Sequence, residues 1–293
     1  MAFNGIMPPK DLVPAPFGLL SVADVVVPTE DEWVRGYAAT FMSHPQIVQV
    51  LSQLSGNIGE EGVVYKASDD ITVSPYEDVV PFFVEVTSKG STLGASDLTS
   101  RTDNLKAQLE VVTQKAAEYE LWTGAVIKED GKDQSYLTKN TSKVITTGAV
   151  TPKRALTMIE GAIAGSPTGT GGVIHVSREL GSALTFMGAV SKVENEDGTS
   201  HLETVLGTKV IVGSGYLGTS PDGTANPTGT DSWMYATGPV TLVLGPAEVT
   251  SEDAKSSVDP RTNDLLLSAI RPASVHFDTS IFYAAQVTIP EAP

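Results

Sequence analysis

The chain contains no cysteine. That absence excludes disulfides, thiolate zinc sites and thiol nucleophiles together, so stability rests on packing or on assembly. Charge is also scarce, at 18% of residues, and positive charge is scarcest: 19 Lys and Arg stand against 35 Asp and Glu, a formal net charge of -16. A surface of that sign repels a phosphate backbone, which argues against a protein that grips or reads nucleic acid. Long apolar runs are missing too, and no stretch approaches the roughly 20 apolar residues of a membrane-spanning helix. The first 28 residues are broken by Pro8, Pro9, Pro14, Pro16 and Pro28. They lack the uninterrupted core of a secretory leader, so the expectation is a soluble protein made in a cytoplasm. Asn140-Thr141-Ser142 then reads as a chance match to the glycosylation pattern.

Catalytic patterns are equally thin. His44, His175, His201 and His276 are scattered without a partner at metal-ligand spacing, and His175 reads as a strand residue. There is no G-x-S-x-G elbow and no lysine after a phosphate-binding glycine loop. Gly213-Ser214-Gly215-Tyr216-Leu217-Gly218 fits G-x-G-x-x-G and follows a strand-like run. The residues after it, Thr219-Ser220-Pro221-Asp222-Gly223, continue as a loop where a dinucleotide site needs a helix N-terminus. The acidic clusters at 194–197 and 130–133 lack the ligand spacing of a calcium loop and read as solvated turns. No catalytic residue, metal ligand or cofactor is assigned, and the reading is a structural protein.

What is present is punctuation and periodicity. With 41% hydrophobic residues over 293 positions the chain can bury a substantial core, and its 27 Gly and 18 Pro mark a turn-rich fold with much strand. The opening segment is too apolar for a solvated tail and too proline-rich for a helix, which suggests an extended arm lying on a surface. Thr29-Glu30-Asp31-Glu32 opens an expected helix with Trp33, Tyr37 and Phe41 on one face, and a second short helix carries Ile47, Val50, Leu51 and Leu54. Strand patterns follow at 63–65, 71–73 and 82–86, read as an extended β-loop too poor in apolar residues to stand alone.

The clearest helix follows Arg101-Thr102-Asp103, with Leu105, Leu109, Val112, Ala116 and Tyr119 on the inner face and Lys106, Glu110, Gln114, Lys115 and Glu118 on the polar one. A compact α/β lobe comes next. Thr151-Pro152 starts a helix with Leu156, Ile159 and Ile163 inward. Residues 173–176 form a buried strand running into a helix capped by Ser177, with strands at 209–212, 233–236 and 240–244 and an exposed loop at 213–230. A closing block has 265–270, Arg271 and one long strand-prone run at 273–289 that needs another long strand beside it.

Taken in that order, arm, β-loop, long helix, lobe and closing strands resemble the major capsid protein of tailed bacteriophages, with its Hong Kong ninety-seven-type α+β fold. Pro14-Ala15-Pro16-Phe17-Gly18-Leu19-Leu20-Ser21-Val22-Ala23 resembles the start of short capsid proteins of actinobacterial phages. The run from Asn263 through Arg271 to Asp278 resembles the family's closing pattern. The resemblance implies an N-arm with short helices at 1–56, an E-loop at 57–100, a spine helix at 101–124, a peripheral domain from 125–150 and 250–293, and an axial domain at 151–249. It further implies hexamers and pentamers in an icosahedral shell that encloses double-stranded DNA without sequence-specific binding, assembled in a bacterial cytoplasm with a portal and with scaffolding or decoration proteins. Phe17, Leu19, Leu20, Trp33, Phe82, Phe83 and Tyr216 are the implied inter-subunit contacts, and 213–230 lies near a capsomer axis. Where the family often has an acid just before the arginine this chain has Ser268-Ala269-Ile270, which removes the nearby ion-pair partner for Arg271. Lys66 and Lys89 of the E-loop read as ordinary exposed lysines. The alternatives are an encapsulin-type compartment shell, on the same fold, and a soluble α/β enzyme.

Overall fold

A computed structural model describes residues 13–28, 38–39, 77–78, 80–91, 98–131, 133–166, 171–195, 199–224, 231–250, 258–259 and 264–289. The second expected helix and the strands expected at 63–65 and 71–73 lie outside them. So does Trp33, but Ala38–Ala39, inside the first expected helix, forms strand β2 and pairs antiparallel with β3, Glu77–Asp78. The partner is too distant in sequence for a local periodicity to reveal it.

The long helix, α1, spans Leu98–Thr123, 26 residues. At ~1.5 Å rise per residue that is about 39 Å. It underlies a sheet whose central member is β14, Asp264–Phe277. On one side β14 takes β4, Phe82–Ser91, in a ten-residue antiparallel register from Asp264↔Ser91 to Ala273↔Phe82. On the other side it meets β13 (Val258–Asp259), β12 (Glu248–Thr250) and β11 (Val240–Leu244) in succession. The arm adds β1, Asp24–Val26, parallel to β11. Strand β4 alternates as a half-buried strand should, Phe82 and Val84 inward and Phe83 and Glu85 outward.

The second sheet has seven strands in the order β5 (Lys143–Val144), β15 (Phe282–Thr288), β10 (Asp231–Thr237), β6 (Val173–Ser177), β9 (Lys209–Gly213), β8 (Ser200–Thr204), β7 (Val190–Glu194). Helix α2, Ala125–Asp130, is short and follows α1 directly. Helices α3, Pro152–Ala164, and α4, Arg178–Phe186, share one apolar core with this sheet through Leu156, Ile159, Ile163, Leu180 and Leu184. Ser177 ends β6 and caps α4, its Oγ accepting from the Leu180 N–H at 3.4 Å. The strand residues of opposite parity, Val173, Ile211, Trp233, Tyr235 and Ala284, belong to a second core with α1, β4 and β14. Strand β6 has all five residues buried because it is covered on both faces.

The run expected as one strand at 273–289 is instead the end of β14 and the whole of β15. The turn between them is made by Asp278, whose Oδ1 accepts from the Ser280 N–H at 2.8 Å. Its two halves enter different sheets, so β15 lies among strands of the 173–237 stretch.

Candidate functional site: the arm clamp and the exposed apolar edges

Helix α1 was read from its apolar residues, and its inner face lies elsewhere in the C-terminal half. Val112 and Tyr119 are exposed, whereas Thr113, Gln114, Ala117 and Glu118 are buried. Glu118 is fully buried, with no cation beside its carboxylate among the described salt bridges. Four donors hold it instead. Its Oε1 accepts from the Leu19 N–H at 3.0 Å and the Gln114 Nε2 at 3.0 Å; its Oε2 accepts from the Ser214 hydroxyl at 2.9 Å and the Gly215 N–H at 2.9 Å. A buried carboxylate is tolerable only when its lone pairs are met in this way.

Three chain segments converge on that one side chain. Gln114 reaches back to the Ala15 carbonyl at 3.0 Å, and the Phe17 carbonyl accepts from the Val212 N–H at 2.7 Å. Phe17 holds φ at 60°, the one non-glycine positive φ among the described residues. Leu19, completely buried in a 3-10 turn over Leu19–Ser21, inserts into the core. Gly215 must be glycine because a Cβ there would strike the backbone of α1 at the Lys115 carbonyl and the Tyr119 nitrogen. The glycine motif at 213–218 therefore presents the Gly215 N–H and the Ser214 hydroxyl to an anion, and the anion is the protein's own Glu118.

Of the loop expected to be exposed at 213–230, residues 213–221 are packed apart from Leu217, 222–224 are exposed, and 225–230 lie outside the described residues. Tyr216 lies in the core, with its ring centroid 4.9 Å from that of Trp122, and its hydroxyl is 2.9 Å from His175 Nδ1. Thr237 spends its hydroxyl proton on the Gly238 carbonyl at 2.8 Å, so it accepts from His175 Nε2, also at 2.8 Å. That leaves Nδ1 to accept from Tyr216, a neutral imidazole with both nitrogens engaged. Burial lowers the His175 pKa to about 3, and burial together with the Glu118 charge pushes the Tyr216 phenol well up. Trp122 Nε1 donates to Thr219 Oγ1 at 2.8 Å and the Tyr235 hydroxyl to the Thr219 carbonyl at 2.9 Å, tying down the next turn of the loop.

Arg271 does have an ion pair. It forks onto Glu110 of α1, Nη1 to Oε2 at 2.7 Å and Nη2 to Oε1 at 2.6 Å, bracing β14 against the helix. The partner is distant in sequence, and a search just before the arginine misses it. Two more buried polar residues escaped notice: Glu120 caps α2 through the Val126 and Ile127 N–H groups, and Gln134 links the Val80 N–H to the Val275 carbonyl.

Of the implied contact residues, Leu19, Phe82 and Tyr216 pack within their own subunit, Phe17 and Leu20 are half-buried, and Phe83 is 70% exposed. Leu19, Phe82 and Tyr216 pack with α1 and β14 in one apolar core. Other large apolar side chains stand in solvent: Val13, Val27, Leu217, and at one end of the seven-stranded sheet Phe186, Val205 and Leu206, the first of these 90% exposed. A cleft of about 560 Å³ opens beside the arm, lined in part by Val22, Asp24, Glu160, Ile163 and Val240. The Glu160 carboxylate in it is engaged by Thr204 at 2.5 Å and Thr208 at 2.8 Å. Among the described residues no three His, Asp or Glu side chains gather as a metal site, and no helix is long and apolar enough to cross a membrane.

No family model matches the sequence, and no curated protein matches it. Solved structures do match, over nearly the whole chain. The capsid of an empty GTA particle, computed with C5 symmetry, is 11% identical with a TM-score of 0.51, covering 98% of this chain and 95% of that one. A structure from Mycobacterium phage Ogopogo is 14% identical at a TM-score of 0.51, covering 96% and 97%. The holo-SrpI encapsulin complex of Synechococcus elongatus PCC 7942 is 13% identical at a TM-score of 0.54, covering 100% and 95%. At these identities the likeness is one of fold. The chain has a mixed α+β shell fold, common to virus-like capsids and to a protein compartment. It is the Hong Kong ninety-seven-type fold that its order of arm, long helix, lobe and closing strands resembles.

Proposed function

We propose that this chain is the major capsid protein of a tailed bacteriophage, a structural subunit with no catalytic role. Copies form pentamers and hexamers, and these close into an icosahedral shell around double-stranded DNA. The observation that carries the reading is the match in fold to the GTA particle capsid over 98% of this chain and 95% of that one. In this reading residues 1–56 are the N-arm, 57–100 the E-loop, 101–124 the spine helix, 125–150 with 250–293 the peripheral domain and 151–249 the axial domain. Phe83 and the arm's exposed Val13 and Val27 face neighbouring copies, whose burial of them supplies stability that an isolated subunit lacks. The portal and any scaffolding or decoration proteins are its further partners, and the virion capsid is its location. The acidic balance keeps the inner wall from gripping the packaged duplex.

Expressed alone and imaged by negative-stain electron microscopy, the protein should give rings or closed shells. Free dimers with neither would overturn the reading. The encapsulin likeness favours a second reading, a cellular compartment enclosing a cargo enzyme. A portal or terminase gene adjacent to this one decides for the phage, and a cargo-enzyme gene decides against it.

A further inference from the structure

Helix α1 separates two segments that do not follow one another in the chain, the arm at 15–19 and the loop at 214–219, and Glu118 bonds to both. We propose that Glu118 is a latch that makes the docking of the arm and the ordering of that loop a single event. The arm supplies the Leu19 N–H to Oε1, and the loop supplies the Ser214 hydroxyl and the Gly215 N–H to Oε2. Gln114 sits between, donating to Oε1 and to the Ala15 carbonyl with the same amide nitrogen.

The coupling follows from burial. Removing the arm takes one of the two donors from Oε1 and one of the two acceptors from the Gln114 amide, leaving Oε1 half-satisfied in a dry site. Water can reach it only if the loop gives way as well. Removing the loop strips Oε2 of both donors, and rehydrating it opens the same site from the other side. By linkage the effect is reciprocal, so release of the arm weakens the ordering of the loop by the same factor by which disorder of the loop weakens the docking of the arm. The direct Phe17 to Val212 bond joins the arm to the strand that leads into the loop and acts in the same sense. Phe17's positive φ means that the docked arm is held in a conformation it would leave on release, so the latch is sprung. The loop and the arm should therefore switch together when a neighbouring copy pulls on either. The latch is a property of the single subunit and stands whether or not shells form.

The test is hydrogen–deuterium exchange on the full-length chain, reading peptides over 13–23 and 214–224 against the core strand β6 at 173–177, so that a general loss of stability cancels. Leu19→Ala perturbs the arm without touching the loop, and Ser214→Ala perturbs the loop without touching the arm. Each should raise exchange in both peptides, relative to β6, by about tenfold or more. Glu118→Gln should raise both and abolish the cross-effect of the other two. Changes confined to the mutated segment, with the other within twofold of the parent, would overturn the latch. Ser214→Ala deletes one hydroxyl and keeps the test decisive even where Leu19→Ala fails to fold.

Discussion

The seven-stranded sheet is covered differently on its two faces. On one, α3 and α4 contribute Leu156, Ile159, Ile163, Leu180 and Leu184 to a layer held by apolar contact. On the other, Trp122, Tyr216 and Tyr235 are interleaved with Glu118, Gln114 and His175, so packing and directed hydrogen bonds act together. The first face is tolerant because hydrophobic contact has no preferred direction. The second fixes one arrangement of arm, helix and loop, since each buried polar group there has a particular partner to lose.

Truncating each face at its centre tests the contrast most strongly. Trp122→Ala on the mixed face should cost about 4 kcal/mol and Leu180→Ala on the apolar face about 3 kcal/mol. Only the first should also free the loop at Thr219 to proteolysis, and denaturant titration with limited digestion would show both. Acid should then weaken the fold through two buried rings, His175 on the mixed face and His276 on β14. His175 is held near 3 and His276 near 4 by burial, against an ordinary value near 6.5. Above pH 6.5 both states keep these rings neutral. Below it the unfolded chain binds protons that the fold refuses, so stability falls by about 2 kcal/mol per histidine between pH 6.5 and pH 5. His175→Gln should remove about half of that slope in unfolding curves recorded across the range. Ser177→Ala removes the cap of α4, a helix of the apolar face, and should cost about 1 kcal/mol with no dependence on pH over the same interval. The smallest effect belongs to the half-exposed Arg271–Glu110 pair. Arg271→Lys loses the fork and should cost about 0.5 kcal/mol, an effect that high salt diminishes in the parent protein.

The same contrast explains what could be read from the sequence. Thr151-Pro152, the spacing of Leu156, Ile159 and Ile163, and the cap at Ser177 are local signals, and the face they build is the one found. The α1 layer is long-range. A count of apolar positions puts Val112 and Tyr119 inside because nothing local tells that Glu118 and Gln114 have acceptors and donors waiting on the arm and the loop. Gly213 to Gly218 carries a visible signal, glycines with N–H groups open to an anion, but the anion's identity depends on a helix about 100 residues earlier. Asp278-Thr279-Ser280 is a cluster of turn formers, and the strand propensity on either side of it masks the break. Arm, long helix and lobe were found in their expected order. The burial of Leu19, Phe82 and Tyr216 was not legible, because an apolar side chain on an extended segment looks the same whether or not its own chain covers it.

Strand β14 has a mechanical consequence. Its ladder with β4 runs antiparallel for ten residue pairs, with rungs perpendicular to the strands, and its other edge is shared among β11, β12 and β13. A force drawing β4 and β14 apart along their length stresses every rung at once in shear, where a peeling force would break them singly. Arg271, near the middle of β14, pins it to α1, so tension entering through the strand passes into a stiff rod about 39 Å long. The β4–β14 ladder is built as a lap joint, strongest against stretching along its strands, and it hands that load to the helix rather than to a loop.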